Sequence, residues 1–372
     1  MPHALYRLYR PKTLADMCGQ DITTSLLRSA ASTNRFSHAY LFYGGRGTGK
    51  TTAARILAKI LNCQTRSVDP RFSQTGEPCN TCAACRAIDS NTCLDVIEID
   101  AASNRGIDEI RNIQESIRTA PSHYRYKVFI IDEAHMLTTA AFNALLKTLE
   151  EPPAHGVLVL ATTDYEKLPA TIVSRTQRFL FRKIPKDTIY HRLLSVATTE
   201  GINIKTDALE IIAAAADGSL RDGLSLLDQA RHLSPDSISA DAVTSIIGRT
   251  HPRLIHDFTS ALLAKEVARA HAIVQQLCDS GVYLPHFIKD TLSYLRSILA
   301  LALNPDIRDS LSDTFTELQL EAMDGLIAMH SISDINTVTR ALLDTYIQMR
   351  TVPLPLLALE LFFSELHNKR SS

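Results

Sequence analysis

Residues 39–61 read AYLFYGGRGTGKTTAARILAKIL, and this stretch decides the fold. Its first five residues, 39–43, are apolar or aromatic and suit a buried strand. Gly44-Gly45-Arg46-Gly47-Thr48-Gly49-Lys50-Thr51 then matches G-x4-G-K-[ST] in full, with Thr52 following. Residues 53–61 continue with apolar side chains at 53, 56, 57, 60 and 61, the spacing of an amphipathic helix. Strand, glycine-rich loop and helix in that order make a phosphate cradle. The glycines let backbone N–H groups wrap an anion, and the helix N-terminus adds partial positive charge. Lys50 is expected to reach the β- and γ-phosphates of ATP, and the Thr51 hydroxyl to ligate Mg²⁺. The glycine spacing does not suit a dinucleotide.

Further along, Val128-Phe129-Ile130-Ile131 runs into Asp132-Glu133. An apolar strand ending in a carboxylate puts Asp132 beside the magnesium, at the carboxyl end of the sheet. The adjacent Glu133 suits polarisation of an attacking water, so hydrolysis is favoured over transfer to a bound acceptor. His135 reads as a local hydrogen-bonding residue.

Strand patterns at 39–43, 96–99, 128–131 and 157–161 alternate with helical ones. One helix covers 140–150, with Phe142, Leu145, Leu146 and Leu149 on one face before Pro152-Pro153 stops it. Such alternation predicts an α/β domain with a parallel sheet covered on both faces. After residue 181 strand signals cease. Residues 186–247 read as a small helical unit, and the chain is helical from His251 onward, punctuated by Pro285, Pro305 and Pro353. The expected plan is a nucleotide-binding domain at 1–181, a helical lid at 182–248 and an all-α domain at 249–372.

A chain of 372 residues with 45% hydrophobic and 21% charged residues has the composition of a soluble globular protein. No apolar run approaches the roughly 20 residues of a membrane span; the nearest, 292–303, is interrupted by Arg296. The first residues, MPHALYRLYRPK, lack the apolar core of a secretory signal, so the cytoplasm is the expected compartment. Net charge is -1, so any DNA contact must come from local patches or helix N-termini.

Four of the seven cysteines form a pattern: Cys79-x2-Cys82-x2-Cys85, with Cys63 upstream. An odd count in a cytoplasmic chain speaks against a disulfide framework and for metal. Four thiolates in a segment containing Gly76 and Pro78 suit a closed, structural Zn²⁺ site. An iron–sulfur cluster and unliganded thiols are the other readings. Cys18, Cys93 and Cys278 read as small buried thiols.

With these motifs in hand, the chain resembles the AAA+ ATPases and, within them, the clamp loaders of bacterial DNA polymerase III. The cysteine cluster between the loop helix and the next strand is similar to the insertion of their gamma/tau-type subunits. Arg10-Pro11-Lys12-Thr13-Leu14-Ala15-Asp16, followed by Gly19-Gln20, resembles the family's segment near the adenine. Leu160-Ala161-Thr162-Thr163-Asp164 resembles sensor 1, which implies that Thr163 helps to place the lytic water. Ser174-Arg175-Thr176 resembles the clamp-loader Ser-Arg-Cys signature, with Thr176 in the third place. The resemblance implies that Arg175 completes a neighbouring subunit's ATP site. Gly218-Ser219-Leu220-Arg221-Asp222 resembles sensor 2, whose arginine, Arg221, approaches the γ-phosphate from the lid. The segment 64–78, between the first two cluster cysteines, is longer than the family pattern.

The resemblance further implies a hetero-pentamer with delta- and delta-prime-type subunits, loading a sliding clamp onto primed DNA, and assigns 249–372 to an oligomerising collar. Ser103-Asn104-Arg105-Gly106-Ile107-Asp108, with Arg111 one turn on, reads as a loop entering a helix that could follow a phosphate backbone. Two rivals are another AAA+ DNA motor, such as a branch-migration helicase, and a non-hydrolysing scaffold subunit. A scaffold has no chemical need for Lys50, Thr51, Asp132 and Glu133 together.

Overall fold

The computed structural model describes residues 4–234, 236–247, 252–279, 282–312, 315–349, 351–352 and 354–368. The expected boundary at 248/249, the start of the last helical stretch at His251 and Pro353 lie outside them. The chain divides into two units, Met1–Asn203 with Ala215–His232, and Ile204–Ala214 with Leu233–Ser372.

The first unit is built on a parallel sheet of five strands: β1 (Ala39–Gly44), β2 (Val96–Asp100), β3 (Lys127–Asp132), β4 (Gly156–Thr162) and β5 (Gln177–Phe181). Their order is β2-β3-β4-β1-β5, and every pairing is parallel. Four of these strands fall where the apolar runs predict them. β5 was not read from the sequence. It alternates, with Phe179 and Phe181 buried and Gln177, Arg178 and Leu180 exposed, as a sheet edge does.

Side chains alternate across each strand, so the sheet carries two cores. Tyr40, Phe42, Ile130 and Val159 pack with Leu27 of α2 (Asp21–Ser32, following the short α1, Leu5–Leu8) and with Ile56 and Leu57 of α3 (Lys50–Asn62). Leu41, Phe129, Ile131 and Leu160 pack on the other face with Ile113 and Leu145, from the helices Ile107–Arg118 and Thr139–Glu150. Over β1, β3 and β4 both faces are buried, as parallel sheets require.

The middle strands β3, β4 and β1 end side by side at Asp132, Thr162 and Gly44. Residues that follow them in sequence are thereby brought to one edge. The helix Lys186–Glu200 belongs to this unit, as does Leu220–Leu233 up to His232, and Leu220, Arg221 and Leu224 of the latter share a cavity with Asp132 at that edge.

The second unit is helical. Its longest helices are Leu284–Leu303 and Ile332–Met349, and its core includes Phe258, Leu262, Phe287, Leu295, Leu342 and Phe363. Among the described residues no helix is long and apolar enough to cross a membrane.

Candidate functional site: a nucleotide cavity and a four-cysteine insertion

β1 runs into the loop 44–49, and α3 starts at Lys50, as the motif predicts. Gly44, Gly47 and Gly49 have φ of 141°, 69° and 104°, values that side-chain-bearing residues rarely adopt. The loop opens onto a cavity of about 370 Å³ lined by residues 46–52, Tyr6, Arg10, Asp132, Glu133 and Arg221, among others. Gly44 and Gly45 form the floor beneath Lys50 and are not among its lining residues.

Lys50 is 6% exposed and donates to the Gly44 and Gly45 carbonyls at 2.9 and 2.7 Å. Burial lowers its pKa, against the opposing pull of Glu133 and Asp132. A buried ammonium at the head of a glycine loop is a strong attractor for an anion. Thr51 Oγ1 donates to Asp132 Oδ2 at 2.7 Å, and Asp132 Oδ1 accepts the Glu133 N–H at 3.0 Å. A hydroxyl and a carboxylate oxygen this close, on the cavity wall, are the hard donors Mg²⁺ takes, and the pair fits that ion.

Glu133 follows β3 in a left-handed backbone conformation, φ 48° and ψ 44°. Thr163 Oγ1, just past the end of β4, donates to Glu133 Oε2 at 2.9 Å. Thr162 instead is buried, with its hydroxyl 3.0 Å from His135 Nδ1 and donating to the Asp164 carbonyl. His135 is therefore a local hydrogen-bonding residue, and Thr163 is the threonine that touches Glu133.

Arg221 lies in the first turn of the helix Leu220–Leu233 and stacks over the Tyr6 ring, 5.1 Å from its centroid. Arg10 and Pro11 line the same cavity, as the adenine-side segment is expected to. Arg175 does not line the cavity. It pairs with Glu150 at 2.8 Å and donates to the Thr171 carbonyl at 3.0 Å. Arg105 precedes the helix Ile107–Arg118, and Arg111 on that helix pairs with Asp108 at 3.2 Å.

Two bracing residues had no role assigned from sequence. Gln20 is 3% exposed; its amide donates to the Thr48 and Arg182 carbonyls and accepts the Arg182 N–H. It ties the phosphate loop to the chain leaving β5. Tyr6 lies in a short N-terminal helix without motif character. Cys18 is half-buried and lines the cavity, and Cys278 is half-buried too, so of the three isolated thiols only Cys93 is buried.

The four cluster cysteines converge. One sulfur from each of Cys63, Cys79, Cys82 and Cys85 lies within 4.8 Å of all the others. A tetrahedral Zn²⁺ with bonds near 2.3 Å needs sulfurs roughly 3.8 Å apart, so the set fits with a small contraction. The backbone N–H groups of Cys79, Cys82 and Cys85 point at the sulfurs of Cys63, Cys79 and Cys82 at 3.3–3.5 Å. At Cys63 and Cys79 these donors help to favour the thiolate, the form that binds metal. The long segment 64–78 does not remove Cys63 from the group. It folds into two short helices, Gln64–Val68 and Pro70–Ser73.

Three family models match successive parts of the chain. They are DNA polymerase III, delta subunit, over residues 19–185, DNA polymerase III clamp loader subunit, ATPase lid domain, over 188–234, and DNA polymerase III subunits gamma and tau domain III, over 238–367. Bacillus subtilis DNA polymerase III subunit tau is 45% identical over 320 residues, covering 85% of this chain and 56% of that protein. Escherichia coli DNA polymerase III subunit tau is 40% identical over 301 residues, covering 81% and 46%. The chain thus spans about half the length of the curated relatives it matches. A solved structure of the Thermotoga maritima RuvB Holliday junction branch migration motor is 20% identical, covers 69% of this chain and 78% of that one, and has a TM-score of 0.46. With three successive family matches and gamma/tau relatives over most of its length, the chain belongs to the gamma/tau family of DNA polymerase III clamp-loader subunits.

Proposed function

We propose that this chain is an ATP-hydrolysing subunit of a bacterial clamp loader, acting with delta- and delta-prime-type subunits in a cytoplasmic hetero-pentamer. Its work would be to place a sliding clamp on primed DNA for the DNA polymerase III holoenzyme. The observation that carries the reading is the set Thr51–Asp132–Glu133 on the wall of a cavity headed by Lys50, with Thr163 bonded to Glu133 behind it. The three-part division at 1–181, 182–248 and 249–372 belongs to the same proposal, supported by the segments the family models match.

Each residue has a task in that scheme. Loop N–H groups and Lys50 hold the β- and γ-phosphates. Thr51 and Asp132 would hold Mg²⁺, which when bound neutralises phosphate charge and orients the terminal group. Glu133 orients the attacking water and takes its proton, and Thr163 fixes the Glu133 carboxylate. Arg221 leaves the Tyr6 face to meet the γ-phosphate. Arg175 leaves Glu150 to serve the ATP of the neighbouring subunit, where an arginine supplied in trans is worth on the order of 10³-fold or more. Hydrolysis would then wait for assembly. Cys63, Cys79, Cys82 and Cys85 would hold a structural Zn²⁺. Arg105 and Arg111 are the candidates for contact with the DNA backbone.

The test is ATP turnover with loader partners and clamp, with and without primed DNA, beside Lys50→Ala and Arg175→Ala. Stimulation by clamp and primed DNA that both substitutions abolish is the expected result. Turnover indifferent to the clamp, or to Arg175→Ala, would sink the loader reading.

A further inference from the structure

The cysteine insertion is fastened to one wall of the nucleotide cavity by two residues that no motif contains. Segment 11–18 forms that wall: Pro11, Met17 and Cys18 line the cavity. Met17 also lies against the loop, its Cε 2.8 Å from where a Cβ on Gly49 would stand. Two residues before Cys79, Glu77 accepts the Leu14 N–H at 2.8 Å on one oxygen and the Ala15 N–H at 3.0 Å on the other. It also pairs with Arg28 of α2 at 3.2 Å.

The second fastening is Lys59. It sits on α3, is 1% exposed, and its ammonium has three partners. These are the Lys12 carbonyl at 2.9 Å, Asn80 Oδ1 at 2.7 Å and Asp89 Oδ1 at 3.0 Å. Asn80 lies between Cys79 and Cys82, and Asp89 ends the helix Ala83–Asp89 that carries Cys85. One buried cation thus joins the cavity wall to both sides of the cysteine cluster. A lysine is buried this completely only when every donor is satisfied, so its position is tightly determined.

We propose that Glu77 and Lys59 are positioning residues for nucleotide, fixing segment 11–18 to the folded cysteine insertion so that ATP affinity depends on the insertion keeping its metal. The inference rests on the reading of the cavity as an ATP site. The insertion has few apolar residues to order itself, so without metal its shape, and with it the Glu77 carboxylate and Asn80, would be lost. The wall would then float against the loop. Among the described residues no hydrogen bond or ion pair joins segment 11–18 to Glu133 or Thr163, so the effect should fall on binding and leave the chemical step alone.

Binding of a fluorescent N-methylanthraniloyl ATP in excess Mg²⁺ tests this on the full chain, with zinc content measured in the same samples. We expect Glu77→Ala to bind the nucleotide about tenfold more weakly while retaining its zinc. Glu77→Gln, which keeps one strong acceptor, should fall between it and the parent. KM for ATP should rise by the same factor, with kcat within about twofold. Removing zinc from the parent with a nitrogen-donor chelator should weaken binding to a similar extent, and should weaken Glu77→Ala little further. Unchanged affinity in both Glu77 variants, or an equal loss on zinc removal in parent and variant, overturns the inference but leaves the ATP site standing. Failure of the parent chain to bind the nucleotide overturns both.

Discussion

Replacing Gly47 by alanine probes the junction between the phosphate loop and the helix that carries Arg221. The Cβ of Gly47→Ala would stand 1.8 Å from Ser219 Oγ, 2.9 Å from Ser219 Cβ and 3.3 Å from Arg221 Cβ. Rotating the serine away gives up the hydrogen bond it accepts from the Asp222 N–H at 3.2 Å, at a cost of about 1 kcal/mol, and still leaves the Cβ contact. Gly47 also has φ 69°, where an alanine costs about 1–2 kcal/mol. Together these predict a loss of about 2–3 kcal/mol in the first unit. Gly45→Ala is the control. Its Cβ would meet nothing closer than Thr48 Cγ2 at 3.5 Å, and its φ is not positive, so it should lie within about 0.5 kcal/mol of the parent. Urea unfolding followed by far-UV circular dichroism reads the difference, since the chain has no tryptophan. Adding Ser219→Gly removes both obstructing serine atoms and should recover the steric part, leaving the backbone strain. Equal midpoints for Gly47→Ala and Gly45→Ala would refute the close approach of loop and helix, and with it the route proposed for Arg221 to the phosphates.

Other expectations follow from single contacts. Glu133→Gln should keep nucleotide affinity within a few-fold and lower kcat by about 10²–10⁴, read by nucleotide titration beside steady-state turnover. Gln20→Ala leaves the Arg182 N–H and two carbonyls without their side-chain partner, and should cost about 1–3 kcal/mol in denaturant unfolding. Cys82→Ser should release zinc and expose the insertion to protease, whereas Cys278→Ser, in the other unit, should do neither. Asp95 is buried, which alone would raise its pKa, but the N–H groups of Ser122, His123 and Tyr124 outweigh burial and hold it below the ordinary carboxylate value. Its folded pKa is the lower one. Its contribution is therefore full above about pH 4–5 and fades as acid takes the pH down through the folded value. Unfolding midpoints of the parent and Asp95→Asn should converge as pH falls from 7 to 3.

Much of this was legible because the decisive signals are local. A glycine loop between an apolar strand and an amphipathic helix has few alternative readings, and Asp132-Glu133 at a strand end is equally plain. β5 escaped because an edge strand is only half apolar, and Gln177-Arg178-Phe179-Leu180-Phe181 gives too short an alternation to stand out. The bracing residues escaped for another reason. Lys59 falls on a helix where a lysine ordinarily faces solvent, and its burial follows from Asn80, Asp89 and Lys12, which sequence separates by as much as 77 residues. Glu77 reads as loop filler until the backbone of residues 14 and 15 is seen beneath it. Gln20 was visible within a motif, but only the fold supplies Arg182 as its partner. Arg175 is the reverse case: its motif was legible, while its pairing with Glu150 was not.

The left-handed turn at Glu133 has a consequence for how this position tolerates change. That backbone conformation is comfortable for glycine, asparagine or aspartate, and uncomfortable for a longer side chain. The three easy occupants cannot hold a carboxylate where Glu133 holds it, beneath the Thr163 hydroxyl. A saturation library at this codon should therefore separate under two selections. Screening for soluble, heat-resistant protein should enrich glycine and asparagine. Screening for ATP turnover should return glutamate. Where the residue best for the backbone and the residue best for turnover differ, the disagreement marks a position set by chemistry rather than by folding.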